Sequence, residues 1–172
     1  MSLPDSFELA SDLQQIVRWS LQYSPRFRQQ CRELAAAPRL RARVRLNYHP
    51  VPGDSSRALT TFRQNRQGDL DANIEVRRAP DLTELLAHEF EHVLEQVEGV
   101  NLLALSARHK ARRLLDGAFE TARAIQVGRR VAGEVVNNSP DRMLSAGASM
   151  WRSLRRAVSN ERHVAPVVTR KE

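Results

Sequence analysis

Five consecutive residues, HEFEH from His88 to His92, have the types and spacing of a metal-binding motif. Residues four apart in an α-helix lie about 40° apart around its axis and one turn apart in height, so both imidazoles can reach a single ion. Glu89 lies about 100° round from His88, where its carboxylate can reach a water on that ion but is badly placed to be a ligand. The motif therefore predicts that His88 and His92 bind a metal and that Glu89 is a general base.

A catalytic zinc ion usually has a third protein ligand and leaves its fourth position to water. The chain has one cysteine, Cys31, which disfavours a cysteine ligand. Glu120 is the best candidate, because a carboxylate on an apolar helical face costs several kcal/mol to bury unpaired and a bound metal removes that cost. On a helical projection it shares a stripe with Ala124, Val127 and Val131. The sequence therefore predicts that Glu120 completes a zinc site with the two histidines.

Other assignments of these acidic and basic residues stay open. Glu120 could instead form an ion pair with Arg113 or Arg123. Asp116, one turn earlier on the same face, is the reserve candidate for the third ligand. The candidates for stabilising an oxyanion are Tyr48, His109 and Arg123.

Two further classes of metal site fit the sequence poorly. The metzincin pattern HExxHxxGxxH requires a glycine and a third histidine, whereas this chain has Glu95 and Glu98 at those positions. Di-iron four-helix proteins use Glu-x-x-His, which Glu89 and His92 match, but they need a second copy on another helix and the sequence has none. A segment of three strands is also foreign to such a bundle.

The segment before the motif combines helices with strands. Apolar residues at helical spacing predict a helix over 7–22, and a second helix over 27–37 ends before a proline. Alternation of apolar and polar residues predicts strands over 43–49 and 70–77. A third strand, over 57–64, is joined to the last one by a turn around Asn65 to Gly68.

The motif lies on a helix whose two ends are marked in the sequence. Asp81 with Glu84 resembles a capping box, and Gly99 is placed to end the helix. Further helices are expected over three segments: 102–115, 117–136 and 141–157. The predicted fold class is α+β, with N-terminal helices packed on a small, mainly antiparallel sheet, then the motif helix, then a helical C-terminal half that carries Glu120.

Length and charge limit the remaining possibilities. The 172 residues fit one domain, predicted over 1–158, with a flexible tail over 159–172. No apolar run suits a membrane span, no signal peptide is recognisable and one cysteine excludes a disulfide framework, so we expect a cytoplasmic location. The net charge of +7 and the pI near 10.8 raise the question of an acidic partner, but a solvated basic surface is favoured over nucleic-acid binding.

The HEFEH motif, followed after 27 residues by a glutamate on a later helix, resembles the gluzincin group of zinc metallopeptidases. The resemblance covers about residues 43–131. It implies a compact zincin-like domain in which His88, His92 and Glu120 bind zinc. It also implies that Glu89 activates the zinc-bound water for hydrolysis of a peptide or protein substrate.

The resemblance has a further implication and one departure. It implies that an extended peptide binds by strand addition to a polar-faced strand such as 70–77. Many gluzincins have an acidic residue soon after the ligand glutamate, where it orients a ligand histidine. In this chain Thr121, Ala122 and Arg123 follow Glu120, so that acidic residue is missing.

Two other functions stay open at this point. One is a basic binding module that keeps a zincin scaffold with little or no peptidase activity and contacts nucleic acid or an acidic protein. The charge supports this module, and the intact HExxH motif argues against it. The other is a regulatory peptidase that resembles bacterial anti-repressor metalloproteases, which also carry HExxH and cut a dedicated intracellular partner.

Overall fold

The computed structural model of the chain describes residues 3–47, 57–101, 111–113 and 119–140. Residues 1–137 group into one compact unit, which holds the site described below. The predicted domain end at 158 and the tail over 159–172 lie outside the described residues and stay predictions. The elements in chain order are β1 (Phe7–Leu9), a short 3-10 turn (Ser11–Leu13), α1 (Gln14–Tyr23), α2 (Pro25–Ala35), β2 (Leu40–Leu46), β3 (Ala58–Gln64), β4 (Leu70–Val76), α3 (Leu82–Val97), β5 (Ala111–Arg113), β6 (Phe119–Thr121) and α4 (Ala122–Asn138).

Strands β1 to β4 form one mixed sheet in the order β1-β2-β4-β3. Strands β1 and β4 both pair parallel with β2, whereas β3 runs antiparallel to β4. Helices with a small sheet are therefore present as predicted, but the prediction of a mainly antiparallel sheet is wrong. Alternation indicates β2 and β4 and their buried faces, but it does not say which strands are neighbours, and β4 lies between β2 and β3.

The first part of the predicted helix over 7–22 is a strand instead. Residues 7–9 pair parallel with β2 and cover its edge. Phe7 is buried there against Phe90 of α3, with ring centroids 5.2 Å apart. This long-range packing outweighs the local helical spacing, and the helix begins only at Gln14.

The C-terminal half also differs from the prediction. Of the predicted helix over 102–115 the structure describes only 111–113, and these residues form a strand, β5, paired antiparallel with β6. The predicted helix over 117–136 consequently begins later, at Ala122. The predicted helix over 141–157 lies outside the described residues.

Helix α3 carries the HEFEH motif and has the predicted bounds. Gly99 follows its last turn with a φ of 69°, a conformation that favours glycine, so the predicted end is confirmed. Asp81 is the N-cap residue, but its carboxylate pairs with Arg57 and makes no hydrogen bond to the first helical turn. The predicted capping box is therefore wrong, although the helix starts where it was expected.

Packing of Phe90 sets the rotation of α3 about its own axis. This ring is fully buried, and it stacks on Phe27 of α2 with centroids 5.5 Å apart. In a helix, Phe90 lies about 200° round from His88 and from His92. Burying the aromatic ring in the core therefore turns both histidines towards the opposite side of the helix. Other large residues of the same core include Leu34, Val44, Ile74, Leu86 and Val93.

The opposite side of α3 meets α4 at Gly128. A Cβ atom at this position would lie 2.8 Å from the backbone oxygen of Glu84 and 3.2 Å from the Cβ of His88. Helix α4 can therefore come this close to the motif only because residue 128 has no side chain. Ala124 of the same helix is fully buried as well.

We predict that Gly128→Ala lowers the free energy of unfolding by about 1–3 kcal/mol, because the backbone of α3 cannot move aside for the added methyl group. The matched control is Gly133→Ala on the same helix. A Cβ there meets no atom within 4 Å, so alanine should raise stability by about 0.5–1 kcal/mol through its better helix propensity. Urea unfolding followed by circular dichroism measures both changes. Equal stability of the two alanine variants would contradict the close packing at Gly128.

Candidate metal centre

The two motif histidines lie one turn apart on α3 and face a common point. Their ring centroids are 4.8 Å apart, and the Nε2 atoms of His88 and His92 are 3.1 Å apart. The side chain of His88 is 16% exposed and that of His92 is 10% exposed. Two imidazoles that direct the same ring nitrogen at one place are arranged as ligands of one ion would be.

Glu120 reaches this point from strand β6, directly before α4, and not from within a helix as predicted. Its Oε1 atom lies 3.1 Å from Nε2 of His88 and 3.6 Å from Nε2 of His92. The structure thus brings together the three residues that the sequence analysis chose as ligands. Among the described residues, these three form the one group of three or more His, Cys, Asp or Glu side chains that could hold a metal ion. Their ligand atoms lie within 4.8 Å of one another.

The distances between these atoms can be compared with those of a tetrahedral site. Ligand atoms at about 2.0–2.2 Å from a tetrahedral zinc ion lie about 3.3–3.6 Å from one another. The separations of 3.1, 3.1 and 3.6 Å are close to that range. Two imidazole nitrogens and one carboxylate oxygen are also a donor set that zinc accepts, so these three residues could hold such an ion.

Glu89 lies beside the three residues in a buried position. Its Oε2 atom accepts a hydrogen bond of 2.6 Å from the Thr60 hydroxyl, which comes from strand β3. Its Oε1 atom is 3.9 Å from Nε2 of His88. Burial raises the pKa of the Glu89 carboxyl, against the opposite effects of the Thr60 hydroxyl and of the two histidines. The carboxylate is close to the histidine nitrogens without being the third ligand.

Hydrogen bonds among the three candidate ligands shift their pKa values in opposite directions. Burial alone would lower the pKa of His92, but hydrogen bonds with Glu120 and Glu95 raise it to about 9. Burial alone would raise the pKa of Glu120, but hydrogen bonds with both histidines lower it to about 2. These hydrogen bonds hold the three side chains together, and a metal would bind through Nε2 of His92 only when that nitrogen carries no proton.

Among the described residues, Glu120 does not form the alternative ion pair with Arg123. The guanidinium of Arg123 bonds instead to Glu91 and Glu98 of α3, with 2.9 Å from its Nη2 to Oε1 of Glu98. Because Arg123 already bonds to two carboxylates, it is a poor candidate for stabilising an oxyanion. The side chain of Arg113 lies outside the described residues, as does the reserve ligand Asp116.

Four residues near the centre were not singled out by the sequence analysis: Thr60, Glu95, Thr121 and Gly128. Glu95 left a signal, because it lies three residues after His92 on the same helical face, but it was noted only as a mismatch to the metzincin pattern. The other three act through contacts with distant segments, for which one sequence carries no local signal. The remaining oxyanion candidates, Tyr48 and His109, lie outside the described residues.

Comparisons of this chain with protein-family models, with curated proteins and with solved structures gave no match. Among the described residues, no helix is long and apolar enough to cross a membrane.

We predict that the full chain binds one zinc ion and that Glu120→Ala weakens its affinity more than about 100-fold, since loss of a ligand should exceed the 10–100-fold cost of losing an outer partner. His88→Ala should have a similar effect. Glu98→Gln is the control, because this exposed carboxylate bonds to Arg123 and not to the motif histidines. Elemental analysis gives the stoichiometry, and competition with a chromophoric chelator gives the affinity. Normal zinc binding by the Glu120 variant would move the site elsewhere.

Proposed function

We propose that this chain is a zinc-dependent metallopeptidase in which His88, His92 and Glu120 bind zinc and Glu89 is the general base. The observation that carries the proposal is the convergence of two Nε2 atoms and one carboxylate oxygen at near-tetrahedral spacing, with Oε1 of Glu89 beside them. Two histidines and one glutamate are a known ligand set of catalytic zinc. Calcium and magnesium prefer oxygen ligands and fit these donors less well.

The metal site, Glu89 and Thr60 each have a task in the proposed peptide hydrolysis. Zinc bound at this site would lower the pKa of a water towards neutrality and polarise the scissile carbonyl. Glu89 accepts a proton from the attacking water and delivers it to the leaving amine. Its burial suits both steps, because a raised pKa brings the carboxyl nearer the working pH. The Thr60 hydroxyl holds Oε2, which leaves Oε1, on the side of His88, to face the water.

The substrate strand proposed from the sequence has to be reassigned. Strand β4, within the predicted 70–77, has β2 on one side and β3 on the other, so neither of its edges can accept a peptide. Strand β3 lies at the end of the described sheet order and contributes Thr60 to the site. An extended peptide that pairs with the outer edge of β3 would run next to Glu89. We therefore assign the binding of a peptide or protein substrate to β3.

The experiment that tests this function separates it from the alternatives. Incubation of the zinc-loaded chain with a peptide library, followed by mass spectrometry, should show cleavage products. Cleavage confined to one partner protein would indicate the regulatory peptidase. DNA binding that weakens with salt and survives both metal removal and Glu89→Gln, without any hydrolysis, would indicate the basic binding module.

We predict that Glu89→Gln lowers kcat by about 10²–10⁴, because it removes the base and leaves the three ligands in place. Zinc stoichiometry, measured by elemental analysis, should stay at the wild-type value. Glu98→Gln, on the same helix but away from the histidines, should keep wild-type turnover. Retained turnover in the Glu89 variant would refute its assigned role.

We also predict that Thr60→Val lowers kcat about tenfold with little change in KM, because the valine cannot donate to Oε2 of Glu89. Thr60→Ser should restore the rate, since serine keeps the donor. Thr61→Val is the control on the same strand, as the Thr61 side chain is exposed and makes only a 3.5 Å contact with a backbone oxygen of β4. Equal kcat values for the valine and serine variants of Thr60 would exclude this role of the hydroxyl.

A further inference from the structure

Glu95 is a buried acid that the mechanism above does not use. Its side chain is 2% exposed, and its Oε2 atom lies 2.9 Å from Nδ1 of His92. Its Oε1 atom accepts a hydrogen bond of 2.7 Å from the hydroxyl of Thr121. One oxygen of this carboxylate is thus bonded to the candidate ligand His92. The other is bonded to Thr121, which follows the candidate ligand Glu120 in the sequence.

Backbone geometry sets the direction of these hydrogen bonds. The oxygen of the Thr121 hydroxyl accepts the backbone N–H of Ala124 at 3.1 Å, so its single proton is donated to Glu95. With Oε1 occupied, Oε2 accepts the Nδ1 proton of His92. A proton on Nδ1 leaves the lone pair of Nε2 available on the side where Glu120 lies. The chain of hydrogen bonds therefore selects the tautomer of His92 that binds a metal through Nε2.

Glu91, one turn before Glu95 on α3, shows how a purely structural acid is held in this helix. It is fully buried, and it accepts hydrogen bonds from Arg26, Gln30 and Arg123. In the described part of the chain, no arginine bonds to Glu95. The described partners of Glu95 are instead the imidazole of His92 and the hydroxyl of Thr121, so its carboxylate is directed at a candidate ligand.

We propose that Glu95 is a positioning residue for the metal, which holds His92 in its Nε2-binding tautomer and makes it a stronger ligand, and that Thr121 positions Glu95. The inference rests on the proposed function, because it treats His92 as a zinc ligand. It also accounts for the acidic residue that is missing after Glu120 in the sequence. In this chain that role belongs to a residue of the motif helix itself.

The affinity for zinc tests the role of Glu95. Glu95→Gln keeps the size of the side chain and removes its charge, so the full chain should bind zinc about 10–100-fold more weakly. Glu98→Gln is the matched control, because the Glu98 carboxylate bonds to Arg123 and not to either motif histidine, and this variant should bind zinc as the wild type does. Competition with a chromophoric chelator measures all three affinities. Equal affinities would overturn the proposal.

The role of Thr121 has its own pair of variants, which also decides the matter if circular dichroism shows that Glu95→Gln does not fold. Thr121→Val removes the hydroxyl at nearly constant shape and should weaken zinc binding about three- to tenfold. Thr121→Ser keeps the hydroxyl and should restore the wild-type affinity. Equal affinities of the valine and serine variants would overturn the proposal.

Spectra of the metal-free protein separate this inference from the proposed function. In ¹H–¹⁵N spectra, the Nδ1 proton of His92 should resonate far downfield because it is donated to a buried carboxylate. It should move upfield in Glu95→Gln, where the acceptor is a neutral amide, and stay in place in Glu98→Gln. An unmoved resonance in Glu95→Gln would overturn the inference. A wild type that shows this resonance and binds zinc but hydrolyses no peptide would overturn the proposed function alone.

Discussion

Three carboxylates of helix α3 are buried, and a buried carboxylate that lacks a partner costs several kcal/mol. This requirement governs how the rest of the described structure surrounds the helix. Their partners come from strand β3, from α2, from α3 itself and from the junction of β6 with α4: Thr60 for Glu89, Arg26 and Arg123 for Glu91, and His92 and Thr121 for Glu95. These elements lie on different sides of α3. All three carboxylates can therefore bond to their partners in only one rotational position of the helix about its axis. The same rotation buries Phe90 and directs both motif histidines to one point.

The three acids are not equivalent, and the difference bears on function. Glu91 is neutralised by two guanidinium groups, so it contributes to packing and needs nothing further. Glu89 and Glu95 are held by hydroxyl groups and lie near imidazoles, which carry a full positive charge only when protonated. Together with Glu120 they place three acidic side chains around two histidines. Acidic side chains gathered at one place favour a cation there, and two of the three, Glu95 and Glu120, lie outside the HExxH motif.

Several features that depend on neighbouring residues in the sequence were predicted correctly, whereas several that depend on contacts between distant segments were not. The motif helix and its end at Gly99 were predicted because spacing and glycine chemistry are local, and the buried face of β4 followed from simple alternation. The strand at residues 7–9 and the parallel pairing of β2 with β4 depend on long-range contacts. The predictions of a helix beginning at residue 7 and of a mainly antiparallel sheet were therefore wrong. Glu120 was chosen for a sound reason, the cost of burying a carboxylate, although it lies on a strand and not on a helix. Thr60 and Gly128 could not have been found in this way, because their partners are distant in sequence.

Because Glu120 lies on a strand, it and the next residue, Thr121, can act on opposite sides of the His92 ring. The two nitrogens of an imidazole point in different directions, so a ring held from both sides needs partners on both sides. Successive side chains of a strand point to opposite faces, whereas successive side chains of a helix diverge by only about 100°. At the end of β6, Glu120 lies on the Nε2 side of His92, and the next residue, Thr121, reaches the Nδ1 side through Glu95. Two consecutive residues can thus hold one histidine ring from both sides because the chain is extended there and becomes helical only at Ala122.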